Sequence, residues 1–330
     1  MSYLVNRSQK VVVRGYVSHS FVPGSGVPQG SNLGPLLFLL FINSLAIEIK
    51  SSKRLLFADD LKLYMAIGSI DDCVTLQGDL DRVLNWSKKK KISFNINKCN
   101  VMSFTRKKDN INFNYVMEGV VLSRVSEIKD LGVTFDCMLT FRSHVFNISS
   151  KASKMYGFIV RSSREFRDTN CIKQLYIALV RSVLEYASVI WCPYYQNHIY
   201  TVERIQNRFV KYLYFKETGR YDRLVPTQQL TVRYNLLSLE KRRSLNMLLY
   251  LHKILHNQIN DPNLLRYLNI NVSAYPTRNT ATFYVNNART NYYYNSPINA
   301  MCNLYSDFQN DCDIFFLNYK QYRRQLLQTL

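Results

Sequence analysis

The sequence predicts an α+β protein, with short strands in residues 1–136 and only helices in residues 137–330. Two apolar runs on either side of Asp59 and Asp60 predict a β-hairpin, whereas apolar residues recur at helical spacing from residue 143 onward. Hydrophobic residues make up 47% of the 330-residue chain, which is ample for a packed core. The change from strands to long helices near residue 140 therefore predicts two structural parts.

The first elements are a strand, a glycine-containing loop and an apolar helix. Residues 11–13 are three valines followed by Arg-Gly, which predicts a strand that enters a turn. In the loop, Gly26, Gly30 and Gly34 allow close backbone approach, and Pro35 suits the first turn of a helix. The apolar run 36–42 is the predicted helix.

Residues 55–58 and 61–64 predict two strands joined by the adjacent carboxylates of Asp59 and Asp60. Aspartate is common in tight turns, but two neighbouring carboxylates repel each other unless a cation lies against them. Mg²⁺ prefers oxygen ligands such as these. The hairpin alone favours an ordinary acidic surface turn over a metal site.

After this hairpin the pattern predicts a long helix and several further strands. Ser69 and Asp72 form a capping pattern ahead of apolar residues at helical spacing, and Lys88 to Lys91 suit the helix C-terminus. Alternating residues predict strands at 92–96, 101–104 and 131–135.

In the second part, three apolar stripes predict helices, at residues 172–183, 205–212 and 239–255. His252 and His256 lie four residues apart on the last of these, with a lysine between them where a zinc protease carries glutamate. We therefore expect both histidines to be exposed helix residues. From Tyr284 onward the sequence is rich in Asn and Tyr and predicts no particular element.

The formal charge of +20 and the sequence pI near 9.6 favour a polyanionic partner. Nucleic acid is the leading candidate, followed by an anionic membrane surface. The seven cysteines show no metal-finger spacing and are odd in number, which indicates a reduced, intracellular protein in the cytoplasm or nucleus. No apolar run approaches the roughly 20 residues that a membrane-spanning helix needs, and no signal peptide is apparent.

Several segments resemble the reverse transcriptases of non-LTR retrotransposons of the jockey type. The sequence GVPQGS at residues 26–31, with LGPLLF at 33–38, is similar to motif B of these enzymes, and FADD at 57–60 to motif C. FNINKC at 94–99 resembles motif D, and LGV at 131–133 the primer-grip hairpin. The resemblance continues through VRSVLEY at 180–186 into the helical part. It implies a partial polymerase palm, an antiparallel sheet with helices, followed by a helical thumb and C-terminal region.

The resemblance also implies roles for individual residues. Asp59 and Asp60 would hold Mg²⁺ or Mn²⁺ for two-metal nucleotidyl transfer, and Lys98 would lie near the pyrophosphate. Pro28, Gln29, Gly30 and Phe57 would contact the substrates, and no organic cofactor is implied. The implied partners are an RNA template, a DNA primer and deoxynucleoside triphosphates. Lys98 is equally typical of a surface turn, and the Gln29 loop could be a simple turn before a helix.

One expected residue is missing from the order of motifs. Reverse transcriptases carry a further metal-binding Asp in motif A, upstream of motif B, yet no Asp precedes Asp59 here, and Glu48 follows motif B. We therefore expect a fragment without fingers and motif A, with an exposed sheet edge, poor folding and no activity as an isolated chain. The alternatives are a non-catalytic nucleic-acid-binding remnant and a truncated gene product without a function.

Overall fold

Short paired strands and helices alternate in the N-terminal part of the computed structural model, and helices dominate the rest, so the predicted mixture of α and β structure is confirmed. The structure describes residues 4, 7–107, 111–222, 224–271, 281–285 and 289–330. It divides into a first unit that ends at Ser126 and a second unit that begins at Glu127. The functional division at residue 136 stays a prediction.

The described residues of the first unit form three hairpins and two main helices. Its elements are β1 (Val12–Val13), β2 (Tyr16–Val17), α1 (Leu33–Ile42), β3 (Lys53–Phe57), β4 (Asp60–Tyr64), α2 (Ile70–Lys90), β5 (Asn100–Val101), β6 (Val116–Met117), β7 (Val120–Val121) and β8 (Ser123–Arg124). Strands β1–β2, β3–β4 and β6–β7 pair as antiparallel hairpins, whereas β5 and β8 are parallel. The predicted strand at 11–13, the hairpin around Asp59 and Asp60, and the apolar helix are thus confirmed.

Helix α2 begins and ends as its sequence predicts. The Ser69 side chain accepts a hydrogen bond from the Asp72 amide, and the Asp72 side chain accepts one from the Ser69 amide, which is a capping box. Lys91 adopts a left-handed conformation with φ of 58° and ends the helix after three lysines.

The predicted strand at 92–96 is wrong, and the one at 101–104 is confirmed only at its first residue. The Ile92 amide bonds back to the Ser87 carbonyl at 3.0 Å, and residues 96–98 form a 3₁₀ turn, so residues 92–96 pair with no strand in the described part of the chain. Ile92 and Phe94 instead pack against the core of the first unit. Alternation here reflects one-sided burial rather than sheet pairing.

The second unit is a hairpin followed by helices. Its elements are β9 (Glu127–Asp130), β10 (Val133–Asp136), α3 (Arg142–Ser162), α4 (Thr169–Tyr176), α5 (Ser182–Glu185), α6 (Ser188–Trp191), α7 (Gln196–Thr218), α8 (Thr227–Arg233), α9 (Leu239–Leu255), α10 (Pro262–Arg266), α11 (Asn291–Tyr294), α12 (Pro297–Phe308) and α13 (Tyr319–Thr329). A π-helical segment, Ile177–Arg181, joins α4 to α5. The three predicted helical stripes are confirmed, and the unassigned tail contains α11 to α13.

Two apolar clusters form the core of the second unit. One lies among α3, α4 and α7, where the rings of Tyr176 and Phe209 stack with centroids 4.0 Å apart. The other lies among α9, α12 and α13. The expectation that His252 is exposed is wrong, because its ring is buried between His256 and Tyr322, with centroid distances of 4.0 and 5.0 Å. Each histidine also hydrogen-bonds to a backbone carbonyl, so the pair packs α9 against the following chain.

Candidate active site

The two adjacent carboxylates lie at the tip of the β3–β4 hairpin. Phe57 pairs with Asp60, which leaves Ala58 and Asp59 as the two turn residues, and Ala58 has φ of 51°. Both Asp side chains are exposed, and within the described residues neither forms a hydrogen bond or an ion pair. The two carboxylates are therefore available to an external cation.

The hairpin has one face in the core and one face open. Leu56 pairs with Leu61, and these two residues pack with Leu63 against the core formed by α1, the following 3₁₀ turn and α2. On the other face, Leu55 and Phe57 are 54% and 61% exposed. Strand alternation puts Asp60 on this open side with Phe57.

The glycine-containing loop is tied closely to the start of α1. The Ser31 hydroxyl donates to the Pro28 carbonyl at 2.7 Å and accepts from the Gly34 amide at 3.1 Å. A Cβ at Gly34 would lie 3.0 Å from the Ser31 Oγ and 3.2 Å from the Pro28 oxygen, so a side chain here would push against this hydrogen-bonded turn. The bonds hold the Pro28 turn against the helix and leave Gln29 and Gly30 exposed at its tip, with Gly30 at φ of 80°.

Asp79 anchors the chain just before β3, and the sequence analysis missed it. Its carboxylate accepts hydrogen bonds from the amides of Lys50, Ser51 and Ser52 at 2.9, 3.0 and 2.6 Å, and from the Arg82 Nε at 3.1 Å. Burial raises the pKa of this carboxyl, but the hydrogen bonds outweigh burial and hold the pKa well below its usual range. An acidic residue on the apolar face of α2, four positions before Val83, was the signal for such a buried anchor.

One core thus supports the predicted site elements of the first unit. The apolar cluster contains Phe38 of α1, Leu56 and Leu61 of the hairpin, Trp86 of α2 and Phe94 of the motif D-like segment. Lys98 follows at the end of the 3₁₀ turn and is exposed. The loop, the carboxylates and the lysine therefore extend from elements that share a single core.

A divalent metal ion fits this donor set in part. Carboxylate oxygens suit Mg²⁺, which is usually held by one or two carboxylates together with water and substrate phosphates. Among the described residues, no group of three or more His, Cys, Asp or Glu side chains could hold a metal ion. Asp59 and Asp60 are two adjacent carboxylates at the hairpin tip, and a two-metal site would need further ligands beside them.

Residues 2–135 match the family described as reverse transcriptase (RNA-dependent DNA polymerase). This region of the chain belongs to that family, and the match covers the loop, the hairpin and the motif D-like segment. The family assignment made from the motifs is confirmed.

The similar curated proteins are polymerases of mobile elements. The chain is 29% identical over 219 residues to a probable RNA-directed DNA polymerase from transposon X-element of Drosophila melanogaster, and 26% identical over 222 residues to the polymerase from mobile element jockey of the same species. Each alignment covers 64% of this chain but 24% of the relative, so the chain spans about a quarter of their length. The chain is thus similar in sequence to part of the polymerases of jockey-type mobile elements. No solved structure matches it significantly.

No helix in the described part of the chain is both long and apolar enough to cross a membrane.

Proposed function

We propose that the first unit takes part in RNA-directed DNA polymerisation, with Asp59 and Asp60 as ligands of divalent metal ions. The observation that carries this proposal is the shared core, which supports the motif B loop, the carboxylate hairpin and Phe94. In two-metal catalysis, bound Mg²⁺ would activate the primer hydroxyl and stabilise the leaving pyrophosphate. The substrates would be an RNA template, a DNA primer and deoxynucleoside triphosphates.

The other predicted site residues have roles that suit their positions. Gln29 and Gly30, exposed at the tip of a loop held by Ser31, would contact the template and the incoming nucleotide. Phe57 offers an exposed ring beside Asp60. Lys98 is an exposed cation that could stabilise the charge of the pyrophosphate. A further carboxylate would complete the metal site, and we expect the isolated chain to lack activity without one.

Metal binding tests the role of the two carboxylates directly. Titration of the full chain with Mn²⁺, followed by electron paramagnetic resonance, should show binding that Asp59→Asn and Asp60→Asn each weaken at least tenfold. Asp307→Asn is the matched control, because Asp307 is exposed on α12 and has no partner among the described residues. Equal Mn²⁺ binding by wild type and all three variants would contradict the metal role.

A graft tests the reaction itself. Residues 26–101 replace the matching segment of the jockey polymerase, and primer extension is measured on an RNA template with Mg²⁺. The wild-type graft should extend the primer, whereas Asp59→Asn should reduce extension by at least about 100-fold, because charge stabilisation dominates this chemistry. A folded wild-type graft without extension would show that this segment is not competent.

The charge of the chain supports a second candidate, nucleic-acid binding without catalysis. The two functions predict different behaviour of one variant. Asp59→Ala should abolish extension by a polymerase, whereas a simple binder would keep its affinity or gain from the lost negative charge.

A further inference from the structure

We propose that the second unit binds the backbone of single-stranded nucleic acid along the outer face of α7. The binding surface, named here the α7 stripe, consists of Tyr200, Arg204, Arg208 and Lys211. This proposal rests on the part of the proposed function that makes nucleic acid the partner. It does not depend on metal binding by Asp59 and Asp60.

Helical spacing puts these four residues on one side of α7. They stand at relative positions 0, 4, 8 and 11, and 11 residues of α-helix rise about 16 Å. Arg204 and Arg208 are exposed, and Tyr200 is 64% exposed. The opposite side of α7 carries the buried residues Val202, Ile205, Phe209 and Leu213. The α7 stripe therefore faces away from the core of its unit.

The positive charge of the stripe is not balanced by acidic neighbours. Among the described residues, Arg204, Arg208 and Lys211 form no ion pair. The two acidic residues of α7 are engaged elsewhere, since Glu203 accepts from the Glu240 amide and Glu217 pairs with Arg233. The charge of the stripe is thus available to a polyanion.

The neighbouring helix α3 adds to the same charge. Its 21 residues include no Asp or Glu, and Lys154 and Arg161 are exposed on it. Two hydrogen bonds join this part of the chain to α7, and each links residues that are 52 positions apart in the sequence. The Tyr156 hydroxyl donates to the Arg208 carbonyl, and the Lys216 ammonium donates to the Arg164 carbonyl. The two helices therefore run side by side in parallel and present basic residues over several turns.

The Arg208 side chain is held in place by an aromatic ring. Its guanidinium carbon lies 5.2 Å from the centre of the Tyr156 ring. An arginine stacked in this way keeps N–H groups at its edge for a phosphate. At the other end of the stripe, the exposed Tyr200 ring could stack on a base. Cations in a row together with an open ring favour single-stranded nucleic acid over a polyanion without bases.

Charge removal tests the backbone contacts. Binding of a labelled 12-nucleotide oligouridylate to the full chain is measured by fluorescence anisotropy at several NaCl concentrations. Two triple variants are compared. The stripe triple is Arg204→Gln/Arg208→Gln/Lys211→Gln, and the control triple is Lys320→Gln/Arg323→Gln/Arg324→Gln. The second triple removes three exposed cations from α13 of the same unit. Since each single-strand phosphate contact contributes about 0.7 to the slope of log K against log salt, the stripe triple should lower the slope by about 2 and weaken binding at least tenfold. Equal loss in both triples would overturn the proposal.

One further variant keeps the result interpretable. Arg204→Gln alone changes an exposed side chain with no ion pair among the described residues, so it should keep the wild-type melting temperature and still lower the slope. If it binds oligouridylate like wild type at every salt concentration, the stripe is not the site. Mn²⁺ titration reports on the metal site and oligouridylate anisotropy reports on the stripe, so a failure of the metal site and a failure of the stripe give different results.

Base stacking distinguishes nucleic acid from other polyanions. Tyr200→Ala should weaken oligouridylate binding about 5-fold to 100-fold and leave heparin binding unchanged, because heparin has no bases. Phe316→Ala is the control, since Phe316 is 89% exposed in the same unit. If Tyr200→Ala weakens binding to heparin or to anionic phosphatidylserine vesicles as strongly as binding to oligouridylate, the stripe is a general polyanion or lipid surface and the proposal is wrong.

Discussion

The two units differ in how much core supports their surface. Among the described residues, the main cluster of the first unit has five buried apolar residues, whereas the two clusters of the second unit have 18 and 15. The first unit also exposes large apolar side chains on α1, with Leu36 and Leu40 53% and 66% exposed. The segments that resemble motifs B, C and D thus lie in the unit with the smaller core.

This difference has a consequence for stability. Burial of apolar surface contributes roughly 25 cal/mol per Å², so a unit with few buried residues has a small margin to lose. Its geometry must depend more on specific polar contacts such as the Asp79 anchor. A larger core should tolerate the loss of any one side chain, because the remaining contacts still exceed the cost of ordering the chain.

The largest effect should follow from Trp86→Ala. Trp86 is 2% exposed, contacts Phe41 and donates to the Ser44 hydroxyl at 3.1 Å, so the change should cost about 3–5 kcal/mol and unfold the first unit. Phe209→Ala in the second unit also removes a fully buried aromatic ring. It should lower the melting temperature but leave a cooperative transition. Limited proteolysis with mass spectrometry measures which unit is cleaved, and equal protection of both units in both variants would contradict the comparison.

Asp79→Asn should have the next largest effect and should again be confined to the first unit. The Asp79 carboxylate accepts hydrogen bonds from three backbone amides and a guanidinium, and a neutral side-chain amide cannot accept them all. We therefore expect the free energy of unfolding to fall by about 2–4 kcal/mol. Asp81→Asn on the same helix is the control, because Asp81 is exposed and, among the described residues, its side chain accepts a hydrogen bond from Gln77 alone. Urea unfolding measures both.

The pKa of Asp79 adds a pH dependence to that prediction. Because the folded pKa lies below the ordinary value of 3.8, the stabilisation is complete above pH 3.8 and is lost as the pH falls below it. Wild type should therefore lose stability of the first unit in that range, and Asp79→Asn should lose less. Parallel acid denaturation curves for the two proteins would show that the carboxylate is not the anchor.

A smaller effect in the second unit should come from His144. Its Nδ1 accepts from the Thr134 amide at 3.2 Å, and its ring meets Trp191 edge-on at 5.1 Å. Burial, assisted by the charge of Lys129, lowers the pKa of His144 from 6.5 to about 4. As the pH falls, His144 is therefore protonated in the unfolded chain at a higher pH than in the folded chain. The folded state loses stability relative to the unfolded state as the pH falls from 6.5 towards 4.

His144→Gln should flatten this dependence. The melting temperature of the second unit should fall less between pH 7 and pH 5 in the variant than in wild type. Some dependence should remain, because the pKa values of His198 and His252 are also lowered by burial. His19→Gln is the control at an exposed histidine, and an unchanged slope in His144→Gln would contradict the assignment.

Local sequence signals predicted the parts of the fold that local interactions determine. The Ser69–Asp72 capping box, the turn at Asp59 and the apolar stripes of α4, α7 and α9 involve residues close in the chain. The strand predicted at 92–96 failed because alternation cannot distinguish pairing from one-sided packing. His252 was predicted exposed because its partners, Leu317 and Tyr322, lie 65 and 70 residues away in a tail with no periodicity. Asp79 was missed for the same reason, since its partners belong to a distant loop.

The smallest effect compares two turn glycines, one in each unit. Gly119 and Gly132 both follow a left-handed residue in a two-residue hairpin turn, with φ of 77° and 87°. A Cβ at Gly119 would meet nothing within 4 Å, whereas at Gly132 it would lie 3.0 Å from Tyr186 Cε1. Tyr186 also donates its hydroxyl to the Leu131 carbonyl at 2.9 Å, so the ring cannot move away without losing that bond.

Gly119→Ala should cost about 1 kcal/mol from the left-handed backbone alone, and Gly132→Ala about 1 kcal/mol more because of the clash. Gly132→Ala combined with Tyr186→Phe separates the two causes, since it removes the hydroxyl bond and frees the ring to shift. Adding Tyr186→Phe to the Gly132→Ala variant should therefore cost less stability than Tyr186→Phe costs in the wild type. Urea unfolding of the wild type and the four variants gives these differences. If the stability losses of Gly132→Ala and Tyr186→Phe simply add in the double variant, the hydroxyl bond does not hold the ring against the turn. The stability of the β9–β10 hairpin would then depend on the core alone.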